Sequence, residues 1–582
     1  MIVGIDLGTT NSLVSVWTDK GVRLIPNEFG EYLTPSVVSF IDKKEVLVGK
    51  TAKERLITNP ESTVREFKRM MGRDTCYKIP GVGSFTPIDL SSVVIKKLVS
   101  DAEKYAGEKV DSAVISVPAY FDDHQRQATR LAGEQAGINV SLLVNEPSAA
   151  ALSYHIEHID QDEKFIVFDF GGGTLDVTVV DAFANMVEIC NISGDNCLGG
   201  KDFNEAIAID ICSKNGLDWR TINKKYKEIL LSLSENIKVT LSSVDEVSTN
   251  VHLGENTYEY SLTRQGLIDI SSGIFKKITI VLKRLMNDAM LDIEDIAGVI
   301  MVGGSSKMPI VSTYLESLFG NKVYVDKSGD VSICKGVGIV TGINLRKDVV
   351  KDIVMTDICP FSLGIEVEGD IMSTIIPKNQ TLPASRASRY YTVANNQKKI
   401  KFKVYQGEKH KASDNLLLDT LELAVPPLRK GQAYADVRFS YDLNGIFDID
   451  IVCPINGKEI HRKRGASRGL DKEYLSEISM YMETLKQNPR EIPEIKYLLE
   501  KADRIYEEGN IDQRNILEIE IDSFNKILDT CQVPECKKYA VNFALRLDKI
   551  EKTMFCFDIE HENLWSEVIS GPKDTDDDID KK

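Results

Sequence analysis

The chain has 582 residues, of which 42% are hydrophobic and 27% charged, and its formal net charge is −17 at pH 7. At roughly 150 residues per domain, this length predicts about four domain-sized units. The acidic balance repels nucleic acids and anionic membranes, so we expect neither as a partner. No stretch approaches the roughly 18 consecutive apolar residues of a membrane span, and no basic segment precedes the first apolar run, which indicates a cytoplasmic protein.

Short apolar runs alternate with longer helical patterns from residue 1 to about residue 350. Examples of the apolar runs are residues 112–118 (SAVISVP), 164–170 (KFIVFDF) and 296–302 (IAGVIMV). Such alternation predicts an α/β domain over residues 1–350. Residues 351–359 follow as a linker whose charges flank a brief apolar patch, and we expect this patch to be able to dock as a strand.

Period-two alternation begins after the linker. Residues 399–405 (KIKFKVY) and 434–441 (YADVRFSY) alternate apolar and polar side chains, and turn residues follow at 443–445 and 456–457. This pattern predicts a β-sandwich over residues 360–468.

Helical periodicity replaces it over residues 469–557. Asp471 is a candidate helix cap, and Pro493 opens a second helix that ends near Gly509. Two further helical patterns are carried by Ile516, Ile519, Phe524 and Ile527, and then by Tyr539, Phe543, Leu547 and Ile550. Residues 558–582 form an acidic C-terminal tail, which we predict to be disordered.

The ten cysteines are scattered, without the close paired spacings of a disulfide framework or a zinc module. Free thiols are therefore the favoured interpretation. Cys531 and Cys536 form one C-x4-C pair with no second pair nearby, which is weak evidence for a metal site.

Two segments repeat one pattern, in which an apolar strand ends in an acid and is followed by glycines and threonine. They are residues 3–11 (VGIDLGTTN) and 167–176 (VFDFGGGTLD), with Asp6 and Asp169 as the acids. Glycines permit close backbone approach, so their N–H groups and the threonine hydroxyls can cradle a polyphosphate while the acid faces magnesium. Either segment alone is as well explained by a glycine-rich hairpin turn. Together they indicate a duplicated half-domain and a nucleoside triphosphate site.

A third segment, residues 299–309 (VIMVGGSSKMP), ends another apolar strand with a glycine pair. The glycines would let a base or ribose lie against the backbone, and Lys307 would flank the base, although this segment alone is weak evidence. The absence of G-x-x-x-x-G-K-[ST] and of G-x-G-x-x-G argues against a P-loop or a Rossmann site.

The segments GIDLGTTNS, VPAYFDDHQRQAT, NEPSAAAL, FDFGGGTLDV, GDNCLGGKDF and VGGSSKMP resemble, in this order, the seventy-kilodalton heat-shock chaperone family of DnaK type. DICPFSLGIE, VYQGE and DLNGIFDID extend the resemblance into the second domain, so that it covers the chain to about residue 470. The short loops and the segment LIPNEFGEYLTPS look closest to the specialised HscC branch.

The resemblance implies an α/β actin-like ATPase domain with two duplicated lobes, followed by an all-β sandwich that grips an extended peptide and by an α-helical lid. It implies an ATP-dependent chaperone of the heat-shock and stress-response class, which hydrolyses ATP to ADP and phosphate and acts in protein folding. The implied cofactors are ATP or ADP, Mg²⁺ and K⁺.

The resemblance also assigns residues to the nucleotide site. Those implied in catalysis are Lys68, Glu146, Asp6, Asp169 and Thr174, and those implied at the metal are Asp6, Asp169 and Asp176. Those implied in nucleotide binding are Gly8, Thr9, Thr10, Asn11, Gly171, Gly172, Gly173, Gly199, Gly200, Glu235, Lys238, Ser242, Gly303, Gly304, Ser305, Lys307 and Asp330. Lys68 would place a positive charge near the γ-phosphate and the attacking water. Considered alone, Lys68 would be a solvated surface charge and Glu146 a helix N-terminal acid.

A peptide groove and an allosteric relay are implied as well. The groove residues are Ile365, Ile371, Tyr390, Ile400 and Phe402, although periodicity alone explains them nearly as well as inward-facing core. Glu368 and Val393 match the arch over the peptide, where an acid would favour clients with basic flanks. The relay residues are Pro118, Arg126 and, in the linker, Ile353, Val354, Met355 and Asp357. A plain tether is the alternative interpretation of the linker.

Several positions depart from the family pattern. Val239 stands where many relatives have a basic residue and Lys307 replaces an arginine, and both changes weaken stacking on adenine. Tyr120, Asp122 and Asp123 fit the region that meets a J-domain, but Leu142 replaces an arginine there. The implied partners are an unfolded or extended polypeptide and a J-domain co-chaperone. Whether a nucleotide exchange factor acts stays open, because the segments 73–90 and 243–262 are shorter than in general relatives.

Two other classes of protein share the actin-like fold. A small-molecule kinase would use the same phosphate loops, but it would need neither the β-sandwich nor the apolar linker. A filament protein would not carry a C-terminal sandwich. The chaperone is therefore the leading prediction.

Overall fold

The structure is a computed structural model that describes residues 1–43, 45–157, 163–183, 186–326, 329–345, 347, 350, 353–442, 447–464, 490, 492–530 and 533–555. These residues form two compact units. The larger unit comprises the described parts of Met1–Gly49, Val64–Phe203 and Ser271–Met482, and the smaller unit those of Lys50–Thr63, Asn204–Ile270 and Glu483–Lys582. None of the described helices is both long and apolar enough to span a membrane.

The first half of the α/β region runs to Glu157. Its strands are β1 (Ile2–Asp6), β2 (Asn11–Thr18), β3 (Gly21–Leu24), β4 (Thr34–Pro35), β5 (Val37–Phe40), β6 (Val46–Val48), β7 (Thr63–Arg65), β8 (Tyr77–Ile79), β9 (Gly83–Phe85), β10 (Ser112–Val117) and β11 (Asn139–Asn145). Its helices are α1 (Lys50–Thr58), α2 (Pro87–Ala106), α3 (Asp123–Gln135) and α4 (Glu146–Glu157).

The second half follows the same plan. Its strands are β12 (Glu163–Phe170), β13 (Leu175–Phe183), β14 (Met186–Asp195), β15 (Glu246–Leu253), β16 (Asn256–Thr263), β17 (Gly298–Val302) and β18 (Val323–Val325). Its helices are α5 (Gly200–Lys214), α6 (Lys224–Thr240), α7 (Arg264–Ile270), α8 (Ser272–Ala289), α9 (Pro309–Phe319) and α10 (Gly329–Asn344).

Two sheets with the same strand order lie at the centre of the larger unit. In the first, β11, β10 and β1 are parallel, and β2 and β3 continue antiparallel. In the second, β18, β17 and β12 are parallel, and β13 and β14 continue antiparallel. The strands that carry Asp6 and Asp169 occupy the same central place in their sheets. This repeat agrees with the predicted duplication and fits an actin-like ATPase domain.

The central strands form where the sequence has continuous apolar runs. Every residue of β10 and β17 is buried, as expected for parallel strands that are covered on both faces. The predicted runs at residues 112–118, 164–170 and 296–302 correspond to β10, β12 and β17, and their ends differ by one or two residues.

Helix α10 joins the two halves, because it belongs to the second half and packs against β1, β2 and α4 of the first. The crossing of α10 and α4 depends on the absence of a side chain at Gly336. A Cβ atom there would lie 1.9 Å from the carbonyl oxygen of Ala149, far inside van der Waals contact. The two helices can therefore approach this closely only with glycine at position 336.

The linker continues the second sheet. Strand β19 (Val354–Thr356) pairs in parallel with the edge strand β14, with Met186 opposite Val354 and Glu188 opposite Thr356. The expected strand docking is thus observed for the described linker residues. Ile353 is 8% exposed and belongs to the core around the second sheet, and Met355 packs against the same core. Residues 351–352 and the Val354 side chain lie outside what the structure describes.

Eight strands follow in the region predicted as a β-sandwich. They are β20 (Leu363–Val367), β21 (Ile371–Ile376), β22 (Ala384–Tyr391), β23 (Lys399–Gln406), β24 (Leu416–Ala424), β25 (Tyr434–Tyr441), β26 (Phe447–Cys453) and β27 (Lys458–Arg464). They form two four-stranded sheets, ordered β21-β20-β23-β24 and β22-β25-β26-β27. Inward-facing residues of both sheets share one hydrophobic core, and buried residues alternate along β26, as the period-two pattern predicts.

Three described helices follow: α11 (Pro493–Glu508), α12 (Ile511–Thr530) and α13 (Val533–Phe555). Helix α11 begins at Pro493 and is capped by Gly509, as predicted. The predicted apolar face of the next two helices is partly wrong, since Ile519 is 68% and Tyr539 48% exposed. The core uses Leu517 instead, together with the predicted Phe524, Phe543, Leu547 and Ile550.

Other predictions fall on residues that the structure does not describe. These are the helix near Asp471, the turn at 443–445, the tail at 558–582, and the cysteines Cys531 and Cys556. The cysteines within the described residues are free thiols. The predicted domain boundaries remain predictions.

The crossing of α10 and α4 gives a stability prediction. Gly336→Ala forces a methyl group into the Ala149 carbonyl and should destabilise the protein by about 2–4 kcal/mol, because a packed crossing cannot relax around it. Gly273→Ala is the matched control, since a Cβ atom at this position of α8 meets nothing within 4 Å. In thermal unfolding, the midpoint temperature of the first transition should be lower for Gly336→Ala than for the unaltered chain, and unchanged or slightly higher for Gly273→Ala. Equal midpoint temperatures for Gly336→Ala and the unaltered chain would contradict the packing argument.

Candidate functional site

The glycine loops after β1 and β12 lie against each other. A Cβ atom on Gly172 would lie 2.0 Å from Thr10 Oγ1, and one on Gly173 2.7 Å from Thr9 Cγ2. The loop before α5 joins them, since a Cβ atom on Gly199 would lie 2.4 Å from the Gly173 nitrogen. Three predicted phosphate-binding segments therefore meet at one place, which leaves no room for side chains at these glycines.

Two buried polar atoms at this place have no hydrogen-bond partner within the described part of the chain. They are the Thr10 hydroxyl oxygen and one carboxylate oxygen of Asp176. A buried polar atom without a partner is costly. A polyphosphate oxygen can accept from the hydroxyl, and a cation or its water can satisfy the carboxylate, so the residues fit the predicted ligand.

Lys68 pairs with Glu146 inside the protein. The ammonium donates to Glu146 Oε1 at 2.6 Å, and the side chains are 4% and 7% exposed. Lys68 is therefore not a solvated surface charge. It lies on a short 3-10 helix, Phe67–Met70, which begins after Glu66 in the left-handed conformation at φ 64. Such backbone strain is retained when surrounding contacts enforce it; here Lys201 Nζ lies 2.9 Å from the Glu66 carboxylate.

Three aspartates, Asp6, Asp169 and Asp176, are buried as well. Burial, followed by the Glu146 charge, raises the pKa of Asp6 and that of Asp176 to about 7 each. Burial also raises the pKa of Asp169 well above its ordinary value, with the charges of Glu146 and Asp176 adding to the effect. The Ser116 hydroxyl donates to Asp6 at 2.7 Å, and the Tyr120 amide donates to Asp176 at 3.2 Å. Four carboxylates thus surround one lysine, and the site has a strong excess of negative charge.

No three of the described His, Cys, Asp or Glu side chains are arranged to hold a metal ion by themselves. Proteins usually bind Mg²⁺ through one or two carboxylates, with waters and substrate phosphates completing the octahedron. The metal role predicted for Asp6, Asp169 and Asp176 stays a prediction.

The third glycine segment lies beside the second. A Cβ atom on Gly303 would lie 2.8 Å from Asp169 Oδ1, and the Ser305 hydroxyl donates to the Gly171 carbonyl at 2.8 Å. Next to Gly304, Lys307 pairs with Asp330. The predicted base-binding residues of the larger unit are thus adjacent to the phosphate loops.

The other predicted nucleoside contacts belong to the smaller unit. Glu235 and Lys238 lie on α6, and the Ser242 hydroxyl donates to the Lys238 carbonyl at 3.4 Å just after the helix. Burial lowers the pKa of Lys238, and the charge of Lys53 adds to the effect. Val239, which replaces a basic residue of many relatives, is 61% exposed.

Sequence reasoning missed two side chains that fasten the segment of Lys68 to the glycine loops. Arg69 donates to the Gly173 carbonyl at 2.9 Å and to Asp202 at 3.1 Å. Asp202 also accepts from the Gly199 amide at 2.7 Å. A signal was present, since Arg69 follows Lys68 and Asp202 lies in the GDNCLGGKDF motif.

The linker is tied to the first half of the α/β region by Asp357. Its carboxylate accepts from Asn145 at 2.7 Å and from Ser148 at 3.1 Å. Arg126 donates to the Asn145 side-chain oxygen at 2.5 Å and to the Phe121 carbonyl at 3.1 Å. The predicted relay residues Arg126 and Asp357 are thus connected through Asn145, which sequence reasoning missed.

The same end of α3 meets the all-β region. The Phe121 amide donates to the carbonyl of Pro118, another predicted relay residue, at 3.1 Å. The Asp123 amide donates to Gln406 Oε1 at 2.9 Å, and the Tyr120 and Phe361 rings lie 4.6 Å apart. Part of the surface predicted to meet a J-domain is therefore covered by the protein itself.

The predicted peptide-groove residues divide into two groups. Ile365, Ile400 and Phe402 are 1%, 9% and 1% exposed and belong to the core shared by the two sheets. Ile371 is 39% exposed, and the half-buried Tyr390 forms a hydrogen bond of 3.0 Å with Ser373. The first three have the packing of inward-facing core, whereas Ile371 and Tyr390 are accessible.

The crowded carboxylates predict how stability depends on pH. Raised aspartate pKa values mean that the folded protein holds more protons than the unfolded chain above about pH 4, so stability should fall as the pH rises through about 7. Mg²⁺ should offset the loss, and raise the melting temperature more at about pH 8 than at about pH 6. Asp176→Asn should weaken both effects, with the exposed Asp74→Asn as control. A melting temperature that rises steadily through this range would contradict the charge crowding.

Comparison with known protein families agrees with this geometry. A family model described as Hsp70 protein matches residues 2–508, which is most of the chain. The matched range includes both glycine loops, Lys68, the linker, the all-β region and α11. The chain belongs to the Hsp70 family, whose members are ATP-dependent chaperones.

Proposed function

We propose that this chain hydrolyses ATP at the glycine-loop site and uses the linker to control the grip of its all-β region on an extended peptide. The observation that carries the proposal is the buried Lys68–Glu146 pair, which lies among three aspartates beside loops from both halves. A buried, fixed ammonium can stabilise negative charge without reorganising at the moment of reaction.

The role of Lys68 follows from its fixed position. Glu146 orients the ammonium from one side, and Phe121 lies below it, 5.7 Å from ring centroid to Nζ. Bound Mg-ATP would supply the phosphoryl group, and its Mg²⁺ would supply counter-charge for the aspartates. Thr174 and the amide groups of the glycine loops orient the phosphates. Lys68 then offsets the charge that develops on the γ-phosphate, and the Glu146 carboxylate holds the attacking water. We include K⁺ as a further counter-ion of this acidic site.

The docked linker supports coupling between the two activities. Strand β19 is hydrogen-bonded to β14, and the half-buried Asp357 joins the linker to Asn145 and Ser148. Asn145 precedes Glu146 in the chain. A shift of Glu146 between nucleotide states would therefore move an anchor of the linker, which would bias its docking.

The all-β region is the proposed peptide-binding sandwich. Its accessible Ile371 and Tyr390 support an apolar pocket, while Ile365, Ile400 and Phe402 form its floor. Main-chain hydrogen bonds would hold an extended client, and one apolar side chain would enter the pocket. The exposed Glu368 at the predicted arch favours clients with basic flanks. Helices α11–α13 would belong to the lid.

We also propose that the protein is a specialised chaperone, of the HscC type, that acts in the cytoplasm with its own J-domain partner. Leu142 in place of an arginine and the self-covered Asp123 support a narrow choice of partner. The Hsp70 membership does not favour the small-molecule kinase, because no sugar site is indicated and the chain carries the all-β region and linker.

Removal of Lys68 tests the catalytic proposal. Lys68→Ala should lower the rate of ATP hydrolysis by about 100-fold or more, because a charge fixed for the transition state is lost. Nucleotide affinity should change little, as measured by fluorescent nucleotide titration. Lys276→Ala, at an exposed position on α8, is the control. Equal loss of hydrolysis and affinity would mean that Lys68 binds nucleotide and does not act in the reaction.

Removal of the linker anchor tests the coupling. Asp357→Ala loses the contacts to Asn145 and Ser148, so addition of Mg-ATP should no longer accelerate release of a bound fluorescent peptide. Asp414→Ala is the control, because it removes the same charge at an exposed position between β23 and β24. Stopped-flow fluorescence measures the release rate. ATP-accelerated release that survives in Asp357→Ala would contradict the anchor role.

A further inference from the structure

Helix α11 lies along α1 in the smaller unit. Arg55 pairs with Glu500 at 2.8 Å, and these side chains are only 12% and 13% exposed. One helical turn further, Arg504 of α11 pairs with Glu54 of α1. Residues 500 and 504 share one face of α11 because they are four positions apart. Two ion pairs therefore fasten α11 to α1.

The same face of α11 extends the contact at both ends. Near its beginning, the Tyr497 ring centroid lies 4.5 Å from Lys50 Nζ of α1, within the range of a cation–π contact. Near its end, Glu507 pairs with Lys225 in the first turn of α6. Helix α6 also contacts α1 directly. Helix α11 thus touches both α1 and α6.

Helix α11 is not a loose segment on this surface. Its opposite face carries Ile495, Leu498, Ala502 and Ile505, which are buried in the core formed with α12 and α13. Arg504 also pairs with Glu551 of α13, and Lys501 pairs with the same carboxylate at 2.8 Å. The ion pairs to α1 and α6 therefore start from a helix held firmly on its other side.

The two helices that α11 touches belong to different halves of the duplicated region. Helix α1 lies between β6 and β7 of the first half, and α6 lies between α5 and β15 of the second. The phosphate loops also come from both halves, since Gly172 lies against Thr10. A ligand held between loops of two halves leaves when the halves part.

We propose that α11 is a brace that holds α1 and α6 together and thereby slows the release of nucleotide. This inference rests on the proposed nucleotide site. It makes the C-terminal helices of the same chain a regulator of nucleotide exchange, because detachment of α11 would free the two halves to open.

Charge reversal and charge exchange at the α11–α6 contact test the brace. Lys225→Glu and Glu507→Lys each replace an attraction by a repulsion, and each should accelerate release of a fluorescent ADP analogue by about threefold to tenfold. The double exchange Lys225→Glu/Glu507→Lys restores opposite charges and should return the rate close to that of the unaltered chain. Lys276→Glu carries the same charge change at an exposed position of α8 in the larger unit and should have no effect.

Hydrogen exchange of the nucleotide-free full chain provides a second measurement. In each single variant, the amides of α1 and α6 should exchange faster, and the double exchange should restore their protection. The brace is overturned if both single variants leave the exchange of α1 and α6 unchanged, if the double exchange fails to restore protection, or if exchange changes without any change in release. If the fluorescent nucleotide does not bind at all, the proposed function fails, and hydrogen exchange alone decides whether α11 holds the two helices.

Discussion

One lysine amid four buried carboxylates is the electrostatic constraint on which the α/β region depends. Lys68 neutralises Glu146, but Asp6, Asp169 and Asp176 remain buried without equal counter-charge. Burying uncompensated charge is expensive, so such a site persists when cations are bound or protons are held. The protein therefore gives up stability for an arrangement that needs bound cations to balance its carboxylates. This is the reason to assign the chemistry to this place.

The position of Glu146 connects this site with the linker. Strand β11 ends at Asn145 and α4 begins at Glu146, so these adjacent residues can contact different partners. Asn145 donates to the linker carboxylate of Asp357, and Glu146 accepts from Lys68. A single strand-to-helix junction thus carries both Glu146 of the buried ion pair and the anchor of the linker. The proposed communication between domains needs no long path, because the two contacts are one peptide bond apart.

Local patterns in the sequence were sufficient for many elements and insufficient for others. The fully buried strands β10 and β17 were predictable because a strand covered on both faces is apolar almost throughout. The exposed face of α12 and α13 was not predictable, since Ile519 and Tyr539 fit a helical apolar stripe and yet are exposed. Which of several apolar positions enters the core depends on where the neighbouring helices lie. Periodicity within one helix contains no information about its neighbours.

The sequence by itself determined the order of elements, the duplicated glycine loops and the charge types available to the site, because these follow from local spacing and residue chemistry. It also carried the motifs that indicated Hsp70 membership. Only the tertiary structure decided that Ser116 donates to Asp6, that Arg69 fastens the Gly173 loop, and that Asn145 joins Arg126 to Asp357. These partners lie far apart in the chain or on different elements. The sequence around a polar side chain does not predict which distant group it will bind. Their pairing is set by how the two halves and the linker pack together.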